Sequence, residues 1–386
     1  MTGANASPPF PDVRPRALVG WVIFFLLAPW TGAQDKPATF QDLASAASAA
    51  REANDIPRAI GLYGQALQLD SKWQDGWWFL GVLEYGADQY AAGRDALTHY
   101  LDLAPKAGPA FALRGLCEFE TGEYAQSLAD IQRALSLGAA NAPRNEQILR
   151  YHEALLLTRN QRFEEALRAY GVFAREGVTS PELLLAMGLA GLRTPLFPKE
   201  LAANQQDLYL AAGTAAFQFM AGDAKKGQAA FEDLFQRFPT APNAHYLYGY
   251  LLFATDPDQA LPEFKRELEI APSNGAAEVM LAWDSLMRGN FTEALPYAQK
   301  AAVEEPEATV PQLVLGRSLL ETGDVKGGME HLEKALQLDP ENLETHLALA
   351  KAYSKSGRKE DARRERLRCL EIAKAQDTQN TQVAQP

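Results

Sequence analysis

The sequence predicts an all-α protein, an α-solenoid built from repeated pairs of antiparallel helices. Three observations lead to this prediction. A small residue recurs about every 34 residues, a second small residue follows it by about twelve, and prolines close several of the units. Self-similarity with a period of about 20–50 residues is typical of solenoids and other repeat architectures.

The first recurring residue is a Gly or Ala in the middle of a helix-like apolar pattern. Several steps between its occurrences are 34 residues long, and short insertions or one deletion displace the others. The occurrences are Ala47, Gly81, Gly115, Ala154, Gly188, Ala215, Gly249, Ala282, Gly316 and Ala350. We assign each of them to the first helix of a unit.

The second recurring residue is also small, and a bulky residue usually follows it four positions later. These pairs are Ala59 with Tyr63, Gly93 with Leu97, Ser127 with Ile131, Ala166 with Tyr170, Gly227 with Phe231, Ala260 with Phe264, and Gly328 with Leu332. Residues four apart lie on the same face of a helix. The small residues therefore let two helices approach, and the bulky residue covers the joint between them.

Glycine and proline mark where the helices end. Five glycines lie between a first and a second helix, where a left-handed residue ends a helix: Gly122, Gly222, Gly289, Gly323 and Gly357. Five prolines close units, because proline cannot continue a helix but can begin the next: Pro105, Pro239, Pro272, Pro306 and Pro340. Each hairpin has an apolar face that it cannot bury alone, so stacked neighbours form one continuous core.

This pattern resembles the tetratricopeptide repeat family, whose consensus is W-x2-L-G-x2-Y…A-x3-F…P. One unit matches it at Trp77, Leu80, Gly81, Gly93, Leu97 and Pro105. Another unit matches it at Leu315, Gly316, Leu319, Gly328, Leu332, Ala335 and Pro340. The resemblance covers about residues 40–376 and implies nine to ten hairpins in a right-handed superhelix. It implies a scaffold that binds protein or peptide partners, because the family uses one fold for many partners.

Two segments depart from the repeat. Residues 142–146 are a short insertion that carries Pro143. Residues 193–207 replace the second helix of the fifth unit, and two nearby prolines favour a loop there. We therefore expect an N-terminal array over residues 40–193, an irregular linker over 194–207, a C-terminal array over 208–376, and a disordered polar tail over 377–386.

The first 33 residues have the parts of a secretory signal peptide. Arg14 and Arg16 precede an apolar run over residues 17–30, and small residues lead to Gln34. The run is shorter than the stretch of about 20 apolar residues that spans a bilayer. We expect cleavage after Ala33 and a periplasmic or secreted array. The alternative is that residues 17–30 remain as a membrane anchor with the array outside the cytoplasm.

The composition and the reactive residues argue against other functions. The chain has 37 basic and 49 acidic residues, a net charge of −12, which disfavours nucleic-acid binding. Two cysteines, Cys117 and Cys369, cannot form a four-Cys zinc site. The five histidines lack metal-ligand spacing, and no nucleophile or phosphate-binding motif occurs. We expect no enzyme activity, no catalytic residue, no metal and no cofactor.

One feature points to a binding surface. In the family, certain first-helix positions face the concave side of the array, and the resemblance places aromatic and leucine side chains there. The residues predicted to contact a partner are Trp78, Tyr85, Phe119, Tyr151, Phe219, Tyr246, Tyr250, Phe253 and Trp283. Such a wall suits an apolar peptide, an amphipathic helix or a folded partner surface. The alternative is that tight curvature puts many of these side chains in the core.

Two functional hypotheses follow. The first is an exported, non-enzymatic scaffold that binds a protein or peptide in an aromatic concave groove. The second is an envelope assembly adaptor, tethered to the membrane by residues 17–30. The clamp of basic and Asn residues by which some family members hold a C-terminal carboxylate is missing, because Trp78, Val82, Ala112 and Leu116 stand at those positions.

Overall fold

The computed structural model describes residues 38–139 and 143–383, and all regular structure in these ranges is helical. The first helices are α1 (Phe40–Glu52), α2 (Ile56–Leu69), α3 (Gln74–Gly86), α4 (Tyr90–Leu103), α5 (Gly108–Thr121), α6 (Tyr124–Ser136) and α7 (Pro143–Arg159). The next are α8 (Phe163–Glu176), α9 (Pro181–Gly191), α10 (Gln206–Met220), α11 (Ala224–Arg237), α12 (Ala244–Phe253) and α13 (Pro257–Ile270). The last are α14 (Gly275–Met287), α15 (Phe291–Glu304), α16 (Thr309–Thr322), α17 (Val325–Leu338), α18 (Leu343–Lys355) and α19 (Lys359–Val383). The predicted all-α class is confirmed.

The described helices pack as successive hairpins within two compact units, which divide between Leu156 and Leu157. In the first unit α1 pairs with α2, α3 with α4, and α5 with α6. In the second unit the pairs are α10 with α11, α12 with α13, α14 with α15, α16 with α17, and α18 with α19. Each of the ten recurring small residues lies on a different helix, which confirms the repeat register and the solenoid.

The small residues act as predicted, by letting backbones approach. A Cβ atom on Gly316 would lie 2.9 Å from the carbonyl oxygen of Gly328 and 2.6 Å from Cγ of Leu332. The bulky residues that follow the second small residue by four positions are fully buried. Leu97, after Gly93, and Leu332, after Gly328, are both 0% exposed. Because interiors are close-packed, an added methyl group at such a joint has no space.

The turns between paired helices use left-handed residues. All five predicted turn glycines have positive φ, between 78° at Gly289 and 101° at Gly323. Asn54, Asp88 and Gln161 end first helices elsewhere with φ of 56°, 59° and 60°. Asn and Asp tolerate this region better than most residues with a side chain.

The segment over residues 193–207 lies inside the second unit. It contains two short 3-10 turns, Pro198–Glu200 and Ala203–Gln205, and joins α9 to α10. These two helices are in backbone contact, because a Cβ atom on Gly188 would lie 1.8 Å from the carbonyl oxygen of Tyr209. Helix α9 therefore has no second helix of its own and packs against the first helix of the following hairpin.

The two ends of the chain differ in what the structure describes. Residues 1–33, the predicted signal peptide, lie outside the described residues. Helix α19 continues to Val383 and so includes most of the segment 377–386 that we expected to be disordered. Neither Gly nor Pro occurs between Lys359 and Gln385, so no residue there breaks the helix. Over residues 38–139 and 143–383, every helix is too short or too polar to span a bilayer.

Substituting a joint glycine tests the packing. Gly316→Ala should lower the free energy of unfolding by about 1–3 kcal/mol, because the new methyl group meets Gly328 and Leu332. Gly61→Ala is the matched control, because a Cβ atom there would have nothing within 4 Å. This substitution should stabilise α2 by up to about 1 kcal/mol, because alanine has a higher helix propensity than glycine. Urea unfolding followed by circular dichroism measures both. A Gly316→Ala midpoint at or above that of the unsubstituted chain would contradict the packing.

Candidate partner-binding surface

In each unit, some helices contact each other directly and form one layer, although another helix lies between them in sequence. In the first unit α3 contacts α5 directly, although α4 lies between them in sequence. In the second unit α8 contacts α10, α10 contacts α12, α14 contacts α16, and α16 contacts α18. We call the exposed side of these helices the inner face of each unit.

Helix α8 is an unexpected member of this layer. The repeat register makes it a second helix, yet it contacts α10 in the same way as α10 contacts α12. The cause is the missing partner of α9, because removing one helix from an alternating series exchanges the roles of its neighbours. The sequence carried the signal, in residues 193–207, but we did not draw this consequence from it.

In the first unit the four predicted aromatic residues are half-buried: Trp78, Tyr85, Phe119 and Tyr151. Their rings pack against neighbouring aromatic side chains. The centroid of Trp78 lies 5.4 Å from that of Tyr100, and Phe119 meets His152 edge-on at 4.8 Å. Burial raises the pKa of Tyr85 to about 12, so its hydroxyl stays protonated at neutral pH.

In the second unit four of the five predicted residues are half-buried: Phe219, Tyr250, Phe253 and Trp283. Tyr246 differs, because only 3% of it is exposed. Its hydroxyl donates a hydrogen bond of 2.7 Å to Oε1 of Glu164, and its ring stacks on Tyr250 at 6.2 Å. Burial raises the pKa of Tyr246 well above its usual value. Tyr246 therefore packs against the ring of Tyr250 and is itself almost completely buried.

Arg193, which follows the C-terminal end of α9, connects residues of several helices around Tyr246. Arg193 has a φ of 53°, and its guanidinium binds Glu164 and, at 3.4 Å, Oε1 of Glu305. The guanidinium also lies over the rings of Phe163 and Tyr246, at 5.0 and 5.4 Å. Burial alone would lower the pKa of Arg193, but the neighbouring carboxylates raise it. The network ties α8 and α12 to the residue that follows α15.

Two further arginines lie beside aromatic residues on the same inner face. Arg168 on α8 donates a hydrogen bond of 3.3 Å to the hydroxyl of Tyr250. The guanidinium of Arg317 on α16 lies over Trp283, 4.9 Å from the ring centroid. Neither arginine forms a salt bridge with a described residue. Aromatic rings hold such cations while leaving their charge free for an anionic group. We did not predict either arginine from the sequence.

The first unit carries two buried carboxyl groups at equivalent positions. Glu84 on α3 and Glu118 on α5 are 34 residues apart, at the place of the consensus Tyr. They are 8% and 5% exposed, and in each the Oε2 atom has no hydrogen-bond partner among the described residues. Burial raises the pKa of both to about 7. At neutral pH each carboxyl group is therefore protonated in about half of the molecules.

The histidines and cysteines take packing positions in the described part of the chain. His245 contacts Glu263 at 2.6 Å and His346 contacts Glu365 at 2.7 Å, each contact joining the two helices of a hairpin. Cys117 is buried without a disulfide, as is Cys369. Over residues 38–139 and 143–383 we find no group of three or more His, Cys, Asp or Glu side chains that could hold a metal ion.

Comparison with known families identifies the fold. Family models described as tetratricopeptide repeat match residues 210–274 and residues 319–368. These two segments of the chain are tetratricopeptide repeats. Repeats of this kind build extended surfaces for other proteins, so this protein is a protein–protein interaction scaffold. The matching models describe a repeat scaffold and indicate no catalytic family.

Among curated proteins, this chain is similar to the CTR9 homolog of Arabidopsis thaliana. The two are 24% identical over an alignment of 315 residues, and the match covers 79% of this chain but only 26% of the relative. The chain thus spans about a quarter of the length of the curated relative that it matches.

Solved structures with a similar fold include MamA 41-end from Desulfovibrio magneticus RS-1. It is 19% identical, with a TM-score of 0.39, covering 44% of this chain and 97% of that one. YrrB, described as a TPR protein with an unusual peptide-binding site, is 18% identical, with a TM-score of 0.38. The match covers 45% of this chain and 90% of YrrB.

The buried carboxyl groups predict how stability depends on pH. Each binds a proton up to about pH 7 when folded, against an ordinary value of 4.5. The folded state therefore binds more protons between these values, and stability falls as the pH rises through them. Glu118→Gln should remove part of this fall and stabilise the protein at pH 8 by about 1–3 kcal/mol.

The control for this prediction is Glu120→Gln, which changes an exposed carboxyl group on the same helix. Urea unfolding at pH 5 and at pH 8 compares the two variants with the unsubstituted chain. An equal effect of the two substitutions at pH 8 would show that burial of Glu118 does not control the pH dependence.

Proposed function

We propose that the protein is an exported scaffold that binds a peptide, a helix or a folded partner surface on its aromatic inner face. The observation that carries this proposal is the half-buried pair Tyr250 and Trp283, each beside an arginine that lacks a salt bridge within the described part of the chain. Half-buried rings keep one side for a partner, and aromatic and Arg side chains are the usual anchors of protein interfaces.

The chemistry of the partner follows from these side chains. Tyr250 and Trp283 offer apolar area, and Arg168 and Arg317 offer charge for a carboxylate. A partner segment that combines apolar or aromatic side chains with at least one Asp, Glu or C-terminal carboxylate complements both. Tyr246, Glu164 and Arg193 hold Tyr250 in place, so less side-chain entropy is lost on binding.

Substitutions on the inner face test the proposal. The variant Tyr250→Ser/Trp283→Ser should capture its partners from the native host at least about fivefold less well, because two anchors are lost. Circular dichroism should show unchanged helical content. Val303→Ser is the matched control, since Val303 is 79% exposed on α15, a second helix. Undiminished capture by the folded double variant would refute binding at this face.

The proposal of export rests on residues 1–33, with their basic, apolar and small-residue parts. A second candidate function, a membrane-tethered assembly adaptor, rests on the apolar run over residues 17–30. The two differ in one property, which is whether this run remains on the mature chain.

Mass spectrometry of the protein from its native host distinguishes the two functions. We expect a chain that begins at Gln34, because a cleavage site of small residues precedes it. As a control, Ala33→Arg should block cleavage and leave the chain longer. A mature chain that retains residues 17–30, found in the membrane fraction, would favour the tethered adaptor.

A further inference from the structure

The C-terminal end of the second unit exposes an unusual amount of apolar surface. Leu347 on α18 and Leu367 and Leu370 on α19 are 52%, 51% and 58% exposed. In a solenoid, this side of a repeat is either covered by a neighbouring helix or carries polar residues. Three leucines, each more than half exposed, do not fit a surface that only faces water.

The preceding repeat shows what these positions contact. The residues 34 positions earlier are Leu313, Glu333 and Leu336. Leu313 is 2% exposed and belongs to a core cluster that also includes Leu349 of α18. Leu336 packs against this cluster. Glu333 accepts a hydrogen bond of 2.8 Å from the hydroxyl of Tyr353 on α18. The repeat geometry thus aims Leu347, Leu367 and Leu370 at the place where the first helix of another repeat would lie.

The same surface is basic. Arg366 takes the place of Leu332, and its guanidinium donates a hydrogen bond of 2.7 Å to Oγ of Ser354. Ser354 in turn takes the place of Leu320, which is 1% exposed. Arg363, which replaces a half-buried methionine of the preceding repeat, is exposed. Two guanidinium groups therefore lie among the exposed leucines. We call this surface the end face and define it by Leu347, Ser354, Arg363, Arg366, Leu367 and Leu370.

We propose that the end face binds an acidic amphipathic α-helix of a partner protein, in the place of the first helix of a further repeat. The shape of the occupant follows from the repeat, because every internal surface of this kind is covered by a helix. Its apolar side follows from the three leucines. Its acidic character follows from Arg363 and Arg366, which favour carboxylates at the edge of the contact.

Charge argues against two other occupants. A second copy that used the same surface would bring four guanidinium groups together, and like charges disfavour such an interface. The chain's own apolar segment, residues 17–30, follows Arg14 and Arg16 and is not acidic. The end face consists of residues of α18 and α19, whereas Tyr250 belongs to α12 and Trp283 to α14, so the two proposed sites share no residue.

Two labelled peptides of about 15 residues test the proposal, a length at which isolated helices become marginally stable. Both carry Leu at helical i, i+3, i+4 and i+7 spacing, with Glu at the other positions in one peptide and Lys in the second. Fluorescence anisotropy with the full chain should show that the Glu peptide binds at least about tenfold more tightly than the Lys peptide. Added salt should reduce this preference.

Substitutions assign the binding to the end face. Leu370→Ser should weaken binding of the Glu peptide by about tenfold, whereas Val303→Ser, at an exposed apolar residue of α15 outside the end face, should leave it unchanged. Arg363→Glu should weaken binding of the Glu peptide and strengthen that of the Lys peptide. Both substitutions are at exposed positions, and circular dichroism verifies that the variants remain folded.

Several results would overturn the proposal. These are equal affinity for the two peptides, no binding of the Glu peptide, or an undiminished affinity in Leu370→Ser. Loss of Glu-peptide binding in Tyr250→Ser/Trp283→Ser, with none in Leu370→Ser, would place the peptide on the inner face instead. Sedimentation showing a dimer that Leu370→Ser dissociates would identify a second copy as the occupant.

Discussion

Backbone-to-backbone contact between paired helices is the constraint on which the rest of the structure depends. At Gly316 and Gly328 the helices are so close that a Cβ atom would meet a carbonyl oxygen, and at Gly188 and Gly213 they are closer still. This spacing brings the residue four positions later, such as Leu332, into full burial. The apolar face that remains then has to be covered by the next hairpin, so the small residues fix the stacking as well as the pairing.

The same close backbone contact explains why α9 lacks a second helix and how this changes the packing of its neighbours. Since α9 and α10 are already in backbone contact at Gly188, no second helix can fit between them. The neighbouring α8 then lies on the inner layer, where its Glu164 and Arg168 meet Tyr246 and Tyr250 of α12. An irregularity in the repeat therefore produced the polar network that holds the aromatic residues of the second unit.

The sequence was sufficient for the features that depend on local spacing. The helix hairpins, the joint residues and the left-handed glycines such as Gly122 all follow from residue type and period. The ion pair of Arg193 and Glu305 could not be predicted, because it joins residues 112 positions apart. The burial of Tyr246 depends on that same network, and the repeat register alone places it with the exposed aromatic residues. For the aromatic positions, the sequence therefore indicated the helix and the stripe but not the exposure of each ring.

The end of an array presents in exposed form the surface that each internal joint buries. Such a surface is apolar, and in this chain only part of it has become polar. Ser354 and Arg366 replace the buried pair Leu320 and Leu332, and Arg366 donates a hydrogen bond to Ser354. This polar pair cannot serve as the core of another joint, because burying a guanidinium without a counter-charge is costly. The leucines around it, such as Leu370, still favour removal from water. A surface with both properties is poorly suited to another identical repeat and suited to a helix that brings its own carboxylates.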